Sequence, residues 1–337
     1  MRTGTIQTVP DMPVVVQKYG GTSVADPSRI KAVADRVVST REQGNDLVVV
    51  VSAMGQTTNS LLELAAEVST APHSREMDML LTAGERISMA LLAMALNDRG
   101  VPAVSYTGSQ AGILTDSAHG SARITEITGE RVRASLDAGK VVIVAGFQGV
   151  DPASKEVTTL GRGGSDTTAV ALAGTLGAVS CEILTDVKGV FTADPSLVDD
   201  ARLLADVEYE QMLALAEAGA GVLMPHSVEF ARDHQVPVHV RSSFTDADGT
   251  WVRPDVSTRP FVGIAHRVDP DGAVLTVVGS RAHESANDEM VALHDAGIVT
   301  ALIGSNEQSV SFSVDPEQIG AAVPFLHTRL FQMEATT

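Results

Sequence analysis

The chain has 337 residues, with 24 Lys and Arg against 42 Asp and Glu, giving a formal net charge of −18. So acidic a chain argues against nucleic acid as a partner, because holding a phosphate backbone needs a concentrated basic face. The length exceeds the roughly 250–300 residues at which single cores stop growing, so two domains are expected, and a 44% hydrophobic content can fill their cores.

Residues 1–13 hold one basic residue, two prolines and no apolar block of the secretory kind, and read as a loose N-terminal extension. Val14 to Gln17 reads as the first strand. It runs into the glycine-rich turn Lys18-Tyr19-Gly20-Gly21-Thr22-Ser23 and then Asp26-Pro27, an N-cap and first-turn pair. Ile30, Val33, Ala34, Val37 and Val38 follow at the spacing of an amphipathic helix. Leu47 to Ser52 is the next strand, and the crossover between the two should be right-handed. Glycines let backbone N–H groups approach phosphate oxygens, so the first turn is either an anion cradle or a tight turn with an exposed lysine. It matches neither a P-loop nor the dinucleotide fingerprint.

Ser52 to Thr58 forms a second turn of small and hydroxyl residues at a strand's carboxyl end, the edge at which open α/β sheets bind ligands. Glu76 to Leu96 is apolar nearly all round apart from Gly84, Glu85, Arg86 and Ser88, and a carboxylate inside such a helix needs a partner or a ligand. Val101 to Tyr106, Val141 to Ala145, Glu182 to Thr185 and Val236 to Val240 are short β-branched runs. Runs apolar at every position belong to a parallel sheet covered on both faces. The third turn, Thr158 to Thr168, precedes the apolar helix Ala169 to Leu176. In it Arg162 stands between glycines and presents its planar fork to a carboxylate or phosphate. Asp166 has two competing roles, a helix N-cap or a carboxylate beside a transferring phosphate and its magnesium.

Residues 246–260 turn to Asp, Gly, Thr, Ser and Pro and read as a linker. Beyond it the order is strand Val274 to Val278, helix Ser285 to Ala296, strands Val299 to Ile303 and Ser309 to Val314, and helix Pro316 to Phe331. That order fits a small ferredoxin-like sandwich whose fourth strand is either Phe261 to His266 or a strand of another chain. Cys181 is the sole cysteine, which excludes an internal disulfide, fits a reducing cytoplasm and reads as a small buried hydrophobe. Met77, Met79, Met89 and Met94 read as core packing, and the histidines lack zinc-ligand spacing. The longest apolar runs fall far short of the ~20 residues of a membrane span, so a cytoplasmic protein without a membrane partner is expected.

Taken together, Lys18 to Val24, Leu80-Leu81-Thr82-Ala83-Gly84-Glu85-Arg86-Ile87-Ser88 and Thr158 to Thr168 resemble the three signature segments of aspartate kinases, most closely the actinobacterial type. Gly146-Phe147-Gln148-Gly149 and Thr185 to Pro195 extend the likeness, which runs without large gaps from about Val14 to Ser243. The resemblance implies an α/β fold, the αβα sandwich of the amino-acid-kinase type over residues 14–245, and ATP- and Mg2+-dependent phosphorylation of the side-chain carboxylate of L-aspartate. It implies catalytic roles for Lys18 and Asp166. Arg162, with Gly163, Gly164 and Ser165, would hold the α-carboxylate of aspartate, Glu85 its ammonium, and Ser52 and Thr57 would line the same side. Lys18, Tyr19, Gly20 and Gly21 would face the phosphates, and Thr185, Asp186, Phe191, Asp194 and Pro195 would flank the nucleotide.

The chain departs from the family pattern at Ser196, where an arginine is usual, and at Gly221, where a lysine is usual. Lys188 and His226 are the nearby candidates to compensate. Only 76 residues follow Phe261, and 261–337 resembles one degenerate ACT module where the family usually carries two. Weak or absent feedback by lysine and threonine is therefore expected, with a homodimer formed through that module. Two other readings stay open: a catalytically weak homologue serving as an amino-acid- or nucleotide-binding regulatory subunit, and a kinase for an aspartate analogue.

Overall fold

A computed structural model describes residues 12–270 and 272–332, so the expected extension lies outside the described residues apart from Met12 and Pro13. The chain opens with β1 (Val14–Tyr19), α1 (Pro27–Glu42), β2 (Asp46–Val51), α2 (Thr57–Val68), α3 (Ser74–Leu81), α4 (Ala83–Asn97) and β3 (Ala103–Tyr106). Next come β4 (Ile113–Thr115), β5 (Ile124–Ile127), α5 (Glu130–Asp137), β6 (Val141–Ala145), β7 (Gln148–Val150), β8 (Val157–Thr159), α6 (Gly164–Leu176) and β9 (Ser180–Thr185). The remainder of the larger unit is β10 (Asp206–Val207), α7 (Tyr209–Glu217), α8 (Pro225–Asp233), β11 (Val238–Ser242) and β12 (Thr250–Val252).

Eight strands form the main sheet in the order β10-β12-β11-β9-β1-β2-β6-β3. The six strands read from the sequence are all present and pair in parallel. Their continuous apolar character follows from burial on both faces. Val14, Val16, Val48, Val50, Val142 and Val144 pack into one core with α6, α7 and α8. Val15, Tyr19, Leu47, Val49, Val51 and Ile143 pack into the other with α1 and α4. The architecture is thus the expected αβα sandwich. Asp26 caps α1, accepting from the backbone N–H groups of Ser28 and Arg29 at 2.8 and 2.9 Å, with Pro27 in the first turn.

Within this larger unit the structure differs from the sequence reading in two places. Thr250–Val252, inside the stretch read as a linker, is a strand of the main sheet, antiparallel to β11. Its Trp251 ring stacks on His239 at 4.0 Å, so packing overrides a turn-rich composition. The apolar helix read from Glu76 to Leu96 is two helices, broken at Thr82, whose hydroxyl donates back to the Met79 carbonyl at 3.1 Å. The stretch Ser74–Asn97 is long and apolar enough to cross a bilayer by length and composition alone. Asp78 and Glu85, both buried in it, are tied to the polar site described below, which marks a core element.

The second unit comprises β13 (Gly263–Asp269), β14 (Gly272–Val278), α9 (Ala286–Asp295), β15 (Thr300–Ser305), β16 (Ser309–Val314) and α10 (Ile319–His327). Its sheet is antiparallel in the order β13-β14-β16-β15, so the chain itself supplies the fourth strand. Leu275, Val277, Val310, Phe312, Val323 and Leu326 centre its core. The last helix is α10 flanked by a 3-10 turn and a π turn rather than one helix from Pro316.

Candidate active site

Strand order reverses between β1 and β9. The connection from β1 leads to β2 on one side, whereas that from β9 leads to β11 on the other, so a crevice opens at their carboxyl ends. Lys18 sits near the end of β1 with its Nζ 2.6 Å from Asp166 Oδ1, and both side chains are largely buried. Asp166 lies in the first turn of α6, which starts at Gly163 in the left-handed region with φ 74°. A 13-residue helix directed at the crevice adds N–H dipole where an anion would sit.

Gly21, Ser52, Ala53, Gly55, Thr58, Glu85 and Phe147 join Lys18 and residues 161–166 around one cavity of about 350 Å3. Glu85 is 4% exposed. Its Oε1 accepts the Ala53 N–H at 3.1 Å, while its Oε2 is buried without a hydrogen-bond partner. Burial pushes this carboxyl up to about 7, against the lowering effect of backbone hydrogen bonds. Arg162 is exposed at the rim, and among the described residues no carboxylate pairs with it. An unpaired buried carboxylate and an unpaired guanidinium thus border the same cavity, matching the two charges of an α-amino acid.

A second cavity, of about 240 Å3, lies between the Val187–Pro195 segment, the end of α7 with Gly219 to Val222, and Ile264 to His266 of β13. Phe191, Asp194 and Pro195, three of the residues expected to flank a nucleotide, are among its lining. Burial works to raise the Asp194 carboxyl, but hydrogen bonds from Ser196 and the nearby His266 outweigh it and hold the group below its usual range.

Five residues expected at the site, Tyr19, Gly20, Thr57, Thr185 and Asp186, line neither cavity. Tyr19 is fully buried on the α1 side of the sheet with its hydroxyl donating to Gln17 Oε1 at 3.2 Å, because strand alternation turns it away from Lys18. Thr58 rather than Thr57 lines the first cavity, since the Thr57 hydroxyl donates to the Met54 carbonyl at 2.6 Å at the start of α2. Thr185 and Asp186 bond to each other at 3.1 Å and line neither cavity. Gly20 donates its N–H to the Leu184 carbonyl at 3.3 Å and borders Lys18. Lys188 is exposed, His226 is exposed and pairs with Glu229 at 3.1 Å, and neither is among the residues lining the two cavities.

Sequence reading missed two supports. Phe147 holds a left-handed backbone at φ 71°, fixed by the Thr168 hydroxyl accepting its N–H at 3.1 Å. Asp78, 1% exposed, accepts from Thr159 Oγ1 at 2.5 Å and from the Gly120 N–H at 3.1 Å, and pairs with His119 at 2.6 Å. It thereby anchors β8 just before the Arg162 turn. A buried aspartate in an apolar helix was its only sequence signal.

Residues 13–242 match the model of the amino acid kinase family. The chain belongs to that family. Its curated relatives include aspartokinases: that of Mycolicibacterium smegmatis is 58% identical over 273 residues, covering 80% of this chain and 64% of the relative. That of Corynebacterium glutamicum is 52% identical over 305 residues, covering 89% and 72%. The chain therefore spans just under two thirds of the mycobacterial relative. The crystal structure of Escherichia coli aspartokinase III in complex with aspartate and ADP superposes with a TM-score of 0.83 at 23% identity, covering 94% of this chain and all of that one.

Magnesium bound with a nucleotide usually keeps waters and takes one or two protein carboxylates beside the phosphates. Asp166 offers one such carboxylate, and among the described residues no cluster of three metal-ligating side chains exists. Asp166 suits an ion that arrives with its nucleotide.

Proposed function

We propose that this amino acid kinase family member transfers the γ-phosphoryl group of MgATP to the side-chain carboxylate of L-aspartate, forming 4-phospho-L-aspartate and ADP. The carrying observation is the pairing of the orphaned Glu85 Oε2 with the unpaired Arg162 around one cavity that also holds Lys18 and Asp166. Glu85 takes the ammonium and Arg162 the α-carboxylate, which leaves the side-chain carboxylate facing Lys18. The relatives' name and the aspartate and ADP of the superposed E. coli enzyme support the same substrates.

The acceptor carboxylate, with a pKa near 3.9, is already an anion at neutral pH, so no general base is needed. The barrier is the approach of an anion to a polyanion. Lys18, the glycine turns and the α6 N-terminus offset that repulsion, and Asp166 orients the Lys18 ammonium. One carboxylate oxygen bonds to the γ-phosphorus, the bond from phosphorus to the ADP oxygen breaks, and the electron pair leaves on ADP. The second cavity, with Phe191 and Pro195, suits the base and sugar.

Trapping the acyl phosphate with hydroxylamine, in the presence of ATP, magnesium and a panel of acidic amino acids, tests the reading. Hydroxamate with aspartate is expected. Its absence despite ligand binding would favour a regulatory subunit, which Ser196, engaged with Asp194, also favours by leaving this wall of the second cavity without a basic side chain from that position. Product with an analogue alone would move the substrate. Homodimerisation through the C-terminal unit and weak response to lysine and threonine belong to the same proposal.

A further inference from the structure

The second cavity is not built by the kinase sandwich alone. Ala193 and Val198 are buried in the core of the C-terminal unit, with Leu197 and Ala201 packed against it. Ile264, Ala265 and His266 of β13 line the cavity directly. The wall segment Phe191 to Pro195 is pinned at Thr192, which is 4% exposed. Its N–H donates to the Arg202 carbonyl at 3.0 Å and its carbonyl accepts the Ile264 N–H at 2.8 Å. Its hydroxyl oxygen accepts the Arg202 N–H at 2.9 Å and lies 2.8 Å from Nε2 of His327.

His327 closes α10, the far helix of the C-terminal unit, and is fully buried. Its ring stacks on Phe331 at 4.9 Å, and its Nδ1 lies 3.5 Å from Asp200 Oδ1. Burial, chiefly, holds this imidazole below its usual pKa, which keeps it neutral at neutral pH. The Thr192 hydroxyl, already accepting from Arg202, has its proton free to donate to an unprotonated Nε2, while the buried Nδ1 faces Asp200 without a hydrogen bond.

We propose that His327 is a positioning residue for the nucleotide: through the Thr192 hydroxyl it fixes the Phe191–Pro195 wall, so that the C-terminal unit sets nucleotide affinity. The aspartate cavity, with Glu85 and Arg162, shares no residue with this wall. Loss of the contact should therefore act on one substrate only. This inference rests on the proposed use of the second cavity by a nucleotide.

The test uses the full chain and three variants. His327→Phe keeps a ring against Phe331 but removes the acceptor, His327→Gln places an amide near the Nε2 position, and Thr192→Val removes the hydroxyl while keeping its volume. A buried hydrogen bond of ordinary strength corresponds to about a five- to tenfold effect. We expect His327→Phe and Thr192→Val each to raise the KM for ATP by about that factor, with the KM for aspartate changed less than about twofold. His327→Gln should recover most of the loss, and the double variant should be no worse than either single one. Equal rises in both KM values, an unchanged KM for ATP, or additive losses would overturn the assignment. If the wild type yields no hydroxamate, the proposed activity fails separately, and calorimetry with MgADP then reads the positioning role. A Kd raised about five- to tenfold in His327→Phe supports it. An unchanged Kd, or no binding to the wild type, overturns it.

Discussion

Glu85 concentrates the chemistry of the proposed aspartate cavity in one side chain. Desolvation raises its pKa to about 7, because one oxygen is buried with no partner. An arriving ammonium stabilises the charged form and pulls that value back down. Below about pH 7 the free enzyme is protonated at Glu85 and must lose the proton to bind, whereas above it the carboxylate is ready. The KM for aspartate should therefore climb as pH falls below about 7, approaching tenfold per unit, with kcat at saturating aspartate nearly flat between about pH 6 and 8. Glu85→Gln should raise the KM about 10- to 100-fold, the loss of a charge-assisted hydrogen bond, and abolish that pH dependence. A pH-independent KM in the wild type would remove Glu85 from the ammonium site. Lys18→Ala should cost most of kcat with little change in the KM for aspartate, since its charge matters most when two anions meet; steady-state kinetics with unchanged kcat would refute it. Both residues stand out in the sequence because charges in apolar or glycine-rich settings demand a reason, and the structure brings both to one cavity. Tyr19 and Thr57 lie off the cavity lining because a motif names neighbours without saying which faces the crevice: strand alternation turns Tyr19 away, and Thr58 takes the lining position beside Thr57.

At the scale of elements, the α6 entrance decides how Arg162, Ser165 and Asp166 are presented. Gly163 takes the left-handed backbone that lets the chain leave β8 and start a helix at once, and a Cβ there would collide with the Met224 side chain. Gly163→Ala should thus cost about 1 kcal/mol in backbone strain and about 1–3 kcal/mol in forced repacking, lowering Tm by several degrees. Because the turn also carries the proposed substrate ligands, kcat/KM should fall further than stability explains at a temperature where the variant is folded. Thermal melting with unchanged Tm would contradict the geometry. The parallel strands were readable because burial on both faces forces apolar residues at every position. β12 was not, because three residues among Asp, Gly and Thr carry no period, and only the Trp251–His239 stack shows what holds it.

For the whole molecule, a parallel sheet covered by helices and a small ferredoxin-like unit could be read from the order of apolar runs, the αβα sandwich came from the family resemblance, and the second cavity could be read from neither. Its walls come from residues 187–195, 215–222 and 264–266, which no local pattern connects. The same scale governs assembly. β15 ends its sheet, and Val299, Leu302 and Ile303 on or beside it are exposed at 75%, 45% and 53%. An edge strand with open N–H and C=O groups and apolar side chains is a template for another strand, and a second copy of this chain offers the same edge. Sedimentation equilibrium of the wild type should return about twice the chain mass. Ile303→Lys introduces a charge that strand pairing between copies would have to bury, while on the isolated protomer it stays in water. That variant should sediment as a monomer with its far-ultraviolet spectrum unchanged. Should the wild type itself be monomeric, or Ile303→Lys remain dimeric, the contact must lie elsewhere, and the β15 edge would be an aggregation hazard rather than an interface.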